Sequence, residues 1–142
     1  MMLSRKQINA AINEVLETNF PGIPIISRDV EKGYGRPSFF VRIETNRSET
    51  YQGNIYRDMT CRIRYFPTDR YQYKEEAYEV QDKLEQLFGL NFSVGDRTIT
   101  ISSATTDIID KVVHYDFDFS YYDEAGNDDP VEQPMEELIF NG

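Results

Sequence analysis

The sequence has no tryptophan, a single cysteine and a single histidine. With only Cys61 present, no disulfide can close within the chain, which fits a reducing compartment. With only His114 present, histidine-pair metal sites are excluded, and any Cys–His or Ser–His catalytic pair would have to use that one residue. No segment approaches the roughly 20 apolar residues of a membrane helix. The opening residues, MMLSRKQINAAINEVLE, lack the continuous apolar run of a secretion signal. The expectation is a soluble protein made in a cytoplasm and not embedded in a membrane. Basic residues are scarce as well: 25 acids oppose 15 bases, giving a net charge of −10. Such a surface argues against sequence-specific nucleic-acid binding.

The acidity is uneven. Seven acids and no base lie from Asp123 onward. Without them, 18 acids face 15 bases, so residues 1–122 are close to balance. The division expected is therefore a domain over 1–122 and an acidic tail over 123–142. Within the tail, Met135, Leu138, Ile139 and Phe140 form an apolar cluster that could dock on a neighbouring subunit.

What is abundant is aromatic: ten tyrosines and nine phenylalanines, material for cores and interfaces alike. Ser4 and Gln7 form a capping box, and Ile8, Ala11, Ile12, Val15 and Leu16 recur at helical spacing. A helix over about Ser4–Thr18 follows. Ile23–Ser27 is a short strand. SFFVRIE, from Ser38, alternates with Phe39, Val41 and Ile43 on one face. The polar TNRSETYQGN that follows is expected to be a loop. Ile55–Phe66 is a long strand with Met59, Cys61, Ile63 and Tyr65 on its apolar side. A second helix spans about Tyr73–Phe88, with Gly89 as the residue after its end. A hairpin turns at Gly95–Asp96, and a last long strand lies within Thr106–Tyr122. There Val113, Tyr115, Phe117, Phe119 and Tyr121 share one side. The fold expected is α+β: a single domain with a mixed or antiparallel sheet and two amphipathic helices packed on it.

Little in this pattern carries chemistry. EKGYGRP has the glycines of a phosphate loop, but Gly33 and Gly35 precede a strand rather than a helix, and Pro37 removes a donor. A turn into the strand is the better reading. His114, Asp116 and Asp118 alternate on one strand face, as metal ligands could; a solvated sheet face has the same look. Cys61, between Met59 and Ile63, reads as a buried structural thiol. No catalytic residue, cofactor site or metal site is assigned. Arg57, Arg62 and Arg64 remain, with Arg57 on the opposite face from the other two. Cross-strand ion pairs and a polar subunit interface are both open for them.

Phe20–Pro21 with Ile23–Pro24, GYGRPSFFV, and Tyr65–Phe66–Pro67 are the sharpest pieces of a wider pattern. From about Ile8 to Tyr122 the chain resembles the tail terminator proteins of tailed phages and of phage-like elements in Firmicutes. The resemblance implies a structural virion protein and not an enzyme. It would be assembled in the host cytoplasm and located in the tail or neck. It implies a self-assembled ring, usually hexameric, that caps the tail tube, with the major tail tube protein and a neck or connector protein as partners. DNA passes through such a ring. A neck or head–tail connector subunit is the alternative within the same class. A metal-dependent enzyme using His114, Asp116 and Asp118, or an acidic DNA mimic, are the alternatives outside it.

Overall fold

The computed structural model describes residues 3–26, 35–69 and 71–124. The first helix, α1 (Arg5–Asn19), starts at the capping box the sequence predicts. Ser4 Oγ accepts from the Gln7 amide at 3.1 Å, and Gln7 Oε1 accepts from the Ser4 amide at 2.9 Å. Two donors left over by the helix start are thereby satisfied. Ile8, Ile12 and Leu16 are buried along one stripe. The second helix, α2 (Lys74–Phe88), buries Ala77, Val80, Leu84 and Phe88. Glu75 and Glu76 sit in its first turn, where the helix dipole favours acids. Glu76 also accepts from the Tyr65 hydroxyl and from Thr68, which ties the helix start to the preceding strand.

Six strands form one sheet: β1 (Ile25–Ile26), β2 (Ser38–Tyr51), β3 (Asn54–Phe66), β4 (Asn91–Val94), β5 (Arg97–Ile109) and β6 (Val112–Glu124), in the order β1-β2-β3-β6-β5-β4. Only β1 pairs in parallel; all other neighbours are antiparallel. With the two helices this is the expected single α+β domain. Both helices cover one face. That face contributes Phe39, Met59, Cys61, Ile63, Tyr65, Val113, Tyr115, Phe117, Phe119 and Tyr121 to the core, all buried. Phe88 stacks on Phe117 at 5.1 Å, and Phe92 meets Phe119 edge-on at 5.1 Å. Burying each such ring stabilises by about 2–3 kcal/mol.

Two turns correct the sequence reading. The polar segment expected as a loop is strand: β2 continues to Tyr51 and turns back at Gln52–Gly53, with Gly53 at φ +97°. Pairing with β3 supplies backbone bonds that side-chain polarity does not reveal. Likewise Thr106–Ile109 belongs to β5, and β6 begins only after Asp110 and Lys111, at φ 52° and 65°. This is a two-residue hairpin made without glycine, hence its weak signal. The hairpin at Gly95–Asp96 is as expected, with Gly95 at φ +60°. Gly89 ends α2 in right-handed conformation rather than the left-handed one expected of a residue past a helix end (φ −85°). A Cβ there would lie 2.5 Å from the Glu85 carbonyl oxygen, so close approach explains the glycine.

β6 runs on through Asp123 and Glu124, so the division expected after residue 122 falls inside a strand. Asp123 is buried; it accepts from the Leu3 amide and from Arg97 Nη1 at 2.6 Å. The Met135, Leu138, Ile139 and Phe140 cluster lies outside the described residues, as does Gly33. No described helix is long and apolar enough to cross a membrane.

Candidate interaction face

The sheet face away from the helices carries the side chains that the core alternation leaves over. Three levels can be followed across β2, β3 and β6. The first is a chain of charges. Arg42 Nη2 lies 2.9 Å from Glu44, and Arg62 Nε donates to Glu44 at 2.9 Å. Arg62 Nη1 and Arg64 Nη1 then take the two oxygens of Asp116 at 3.0 and 2.7 Å. Register explains the order, because Arg42 pairs with Arg62, and Arg62 with Asp116. The hydrogen bond from Arg62 holds the Glu44 carboxyl below its usual range, while Glu44 in turn raises Arg62. The expected cross-strand ion pairs of Arg62 and Arg64 are thus present within one subunit.

The second level gathers an amide and hydroxyls around one carboxylate, Asp118. Asn46 Nδ2 donates to Thr60 Oγ1 at 2.8 Å, Thr60 donates to Asp118 at 2.6 Å, and Ser103 donates to Asp118 at 3.0 Å. The register shifts at Thr45/Arg47 in β2 and at Ile101/Ser103 in β5 flank this row. Bulges on both sides of one row increase the local twist and curl the sheet there.

The third level is aromatic. Tyr56 and Tyr122 are register partners with rings 4.9 Å apart, and the Arg47 guanidinium lies 5.4 Å from the Tyr56 ring centre. The Tyr51 hydroxyl donates to Glu49, whose carboxylate raises the Tyr51 pKa. Tyr51 and Tyr122 are 50% and 61% exposed. Exposed tyrosines beside arginine have the composition of interface anchors. Sequence reading missed this cluster because it assigned Arg47, Glu49 and Tyr51 to a loop. The signal was there: Arg47, Glu49 and Tyr51 mirror Asp58, Tyr56 and Asn54 about Gln52–Gly53.

Arg57 lies on the helix side, away from Arg62 and Arg64. It donates to the Leu3 carbonyl at 3.0 Å and to the Tyr121 hydroxyl at 3.2 Å, fastening the segment ahead of α1. The structure thus separates Arg57 from the other two arginines.

His114, Asp116 and Asp118 do share a face, but both carboxylates have other partners. Asp116 holds two guanidiniums and Asp118 two hydroxyls. Burial, and then nearby Arg64, push His114 below the ordinary histidine pKa. Among the described residues, no group of three His, Cys, Asp or Glu side chains could hold a metal ion. Cys61 is fully buried, and burial pushes its thiol pKa well up, so it is a poor nucleophile. Gly35 is not at positive φ; it leads through Arg36 and Pro37 into β2. Arg36 Nη1 donates to the Pro67 carbonyl at 3.1 Å, which closes the strand entry.

The described chain is thus an α+β domain with one face sealed by helices and the other laid open with arginine, tyrosine and paired charges, the build of an assembly subunit. The sequence profile of the family described as phage tail terminator protein matches residues 7–131. The chain belongs to that family, with a structural role in the phage tail. A search of curated proteins gives no significant match.

Proposed function

We propose that this protein closes into a homo-oligomeric ring that caps the phage tail tube, halts its growth and presents a surface to the neck. Membership in the terminator family carries this reading, and the open sheet face supports it. A cap needs heterologous subunit contacts that close by rotation and a further surface for the tube. Arg47, Tyr51, Tyr56 and Tyr122 are suited to one of them, with Arg62 and Arg64 alongside. Six copies would carry about −60 formal charges, a repulsion that salt screens. Apolar, aromatic and backbone contacts must then dominate closure. An acidic channel would keep passing DNA from adhering to the wall.

The test mixes purified protein with tail tubes and images the tube ends by electron microscopy. Extra density confined to one end of each tube is expected. Bare ends at saturating protein would refute the proposal. A neck subunit, the rival reading, would bind finished tails but not growing tubes.

A further inference from the structure

Among the described residues, no strand covers most of either long outer edge of the sheet. β1 pairs with β2 at Phe39 and Phe40, a parallel ladder whose register takes up the Val41 amide, so among the described residues no strand pairs the outer edge of β2 over Arg42–Tyr51. On the other side, β4 pairs with β5 at Arg97–Thr100, which among the described residues leaves Ser102–Ile109 without a strand beyond it. Neither stretch contains proline or lysine, the residues that commonly blunt an edge.

The direction of the free backbone groups follows from the turns. A two-residue turn closes on a hydrogen-bonded pair, here Tyr51 with Asn54 and Ile109 with Val112. Alternation then turns the amides of Thr50 and Ser48 outward on β2, and those of Thr106 and Ala104 outward on β5; the Ile108 amide, also on that side, is taken by Asp107 Oδ1 at 2.8 Å. Beyond the β2 bulge the outward set becomes Thr45, Ile43 and Val41. The Phe39 amide, next in that series, does point outward: it donates to the Pro24 carbonyl at 2.9 Å. Thr106 has its hydroxyl engaged with Gln81 and the His114 carbonyl, leaving its amide for another partner.

We infer that the β5 edge of one copy pairs with the β2 edge of the next, continuing the sheet from subunit to subunit. This rests on the ring reading and specifies its contact. Three observations favour a second copy as the occupant. The strand order makes β2 and β5 antiparallel to each other, so placing copies side by side in one orientation yields an antiparallel pair without inverting either. The two edges differ, so the contact is heterologous and closes when the rotation per copy allows. The outward residues also match in character: Ala104 and Ile108 would extend the helix-side apolar row that half-buried Val41 and Ile43 begin. Three outward carbonyls and two outward amides on β5 give about five inter-subunit backbone hydrogen bonds. Such bonds are insensitive to the acidic surface.

The test combines amide exchange with proline at outward positions, where no bond inside the subunit is lost. Rings of the full chain on tail tubes should protect the amides of Ile43, Thr45, Ala104 and Thr106 at least tenfold over the free protein. The inward residues between them should change little. Ile43→Pro and Ala104→Pro should keep the wild-type circular dichroism spectrum and fail to form rings. Exchange on the wild type decides the matter if either variant does not fold. Rings with these amides unprotected, or rings formed by both proline variants, would overturn edge pairing and leave the ring standing. Protection of the β2 amides already in the free chain would show the edge covered from within and overturn it too. Absence of any wild-type ring on tubes would overturn the ring reading itself, and this contact with it.

Discussion

Asp123→Ala tests how the fold holds its two distant segments together. The Asp123 carboxylate is buried and joins the Leu3 amide to Arg97, 120 residues from the first and 26 from the second. Alanine leaves the buried Leu3 N–H without its acceptor, at about 1–3 kcal/mol. Arg97 keeps the Tyr122 carbonyl at 2.9 Å. Its side chain is 38% exposed, so water screens the lost pair and the further cost is below about 1 kcal/mol. A loss of about 2–3 kcal/mol follows, a fall in Tm of roughly 6–12 °C for a chain of this size. Asp123→Asn keeps an acceptor for Leu3 and should lose about half as much. Thermal melting by circular dichroism, with urea titration at 25 °C, measures both. A chain ending at Tyr122 should melt lower than one ending at Glu124 for the same reason. An alanine variant that melts with the wild type would refute the argument, and with it the assignment of Asp123 to the folded domain.

Other outcomes follow from single contacts. Burial raises the Tyr115 pKa to about 12, so the folded state resists ionisation that the unfolded chain undergoes near 10. That stability is complete below pH 10 and is lost as pH rises toward 12; Tyr115→Phe should flatten alkaline unfolding over that window. Gly95→Ala, at positive φ, should cost about 1 kcal/mol or more by chemical denaturation. Gly35→Ala should cost less, since nothing lies within 4 Å of its added Cβ. Mg²⁺, Mn²⁺ or Zn²⁺ should leave the Tm unchanged, because Asp116 is held by two guanidiniums; a rise of several degrees abolished by Asp116→Asn would contradict this.

The sequence disclosed most of the core and less of the face. Buried alternation at Met59–Tyr65 and Val113–Tyr121 is a strong signal because one side of each strand meets only apolar side chains. The capping box at Ser4 was equally legible, since its partners are three residues apart. The outer half of β2 was not. Residues 45–51 present polar side chains to both faces, and their strand character comes from backbone pairing with β3. Missing that half hid Arg47 and Tyr51, and with them the aromatic end of the open face. Asp110–Lys111 hid a hairpin because the usual Asn–Gly or Asp–Gly signal is absent. Arg62 and Arg64 were visible as candidates, but their partners Glu44 and Asp116 lie 18 and 52–54 residues away, and only register brings them together.

The central claim is arrest of tube growth, and tube length measures it. Tubes are incubated with the protein, fresh tube subunits are added, and lengths are scored by electron microscopy over time. The account predicts lengths that stay fixed once the ends are saturated, with untreated tubes lengthening beside them. Equal growth with and without the protein would contradict it.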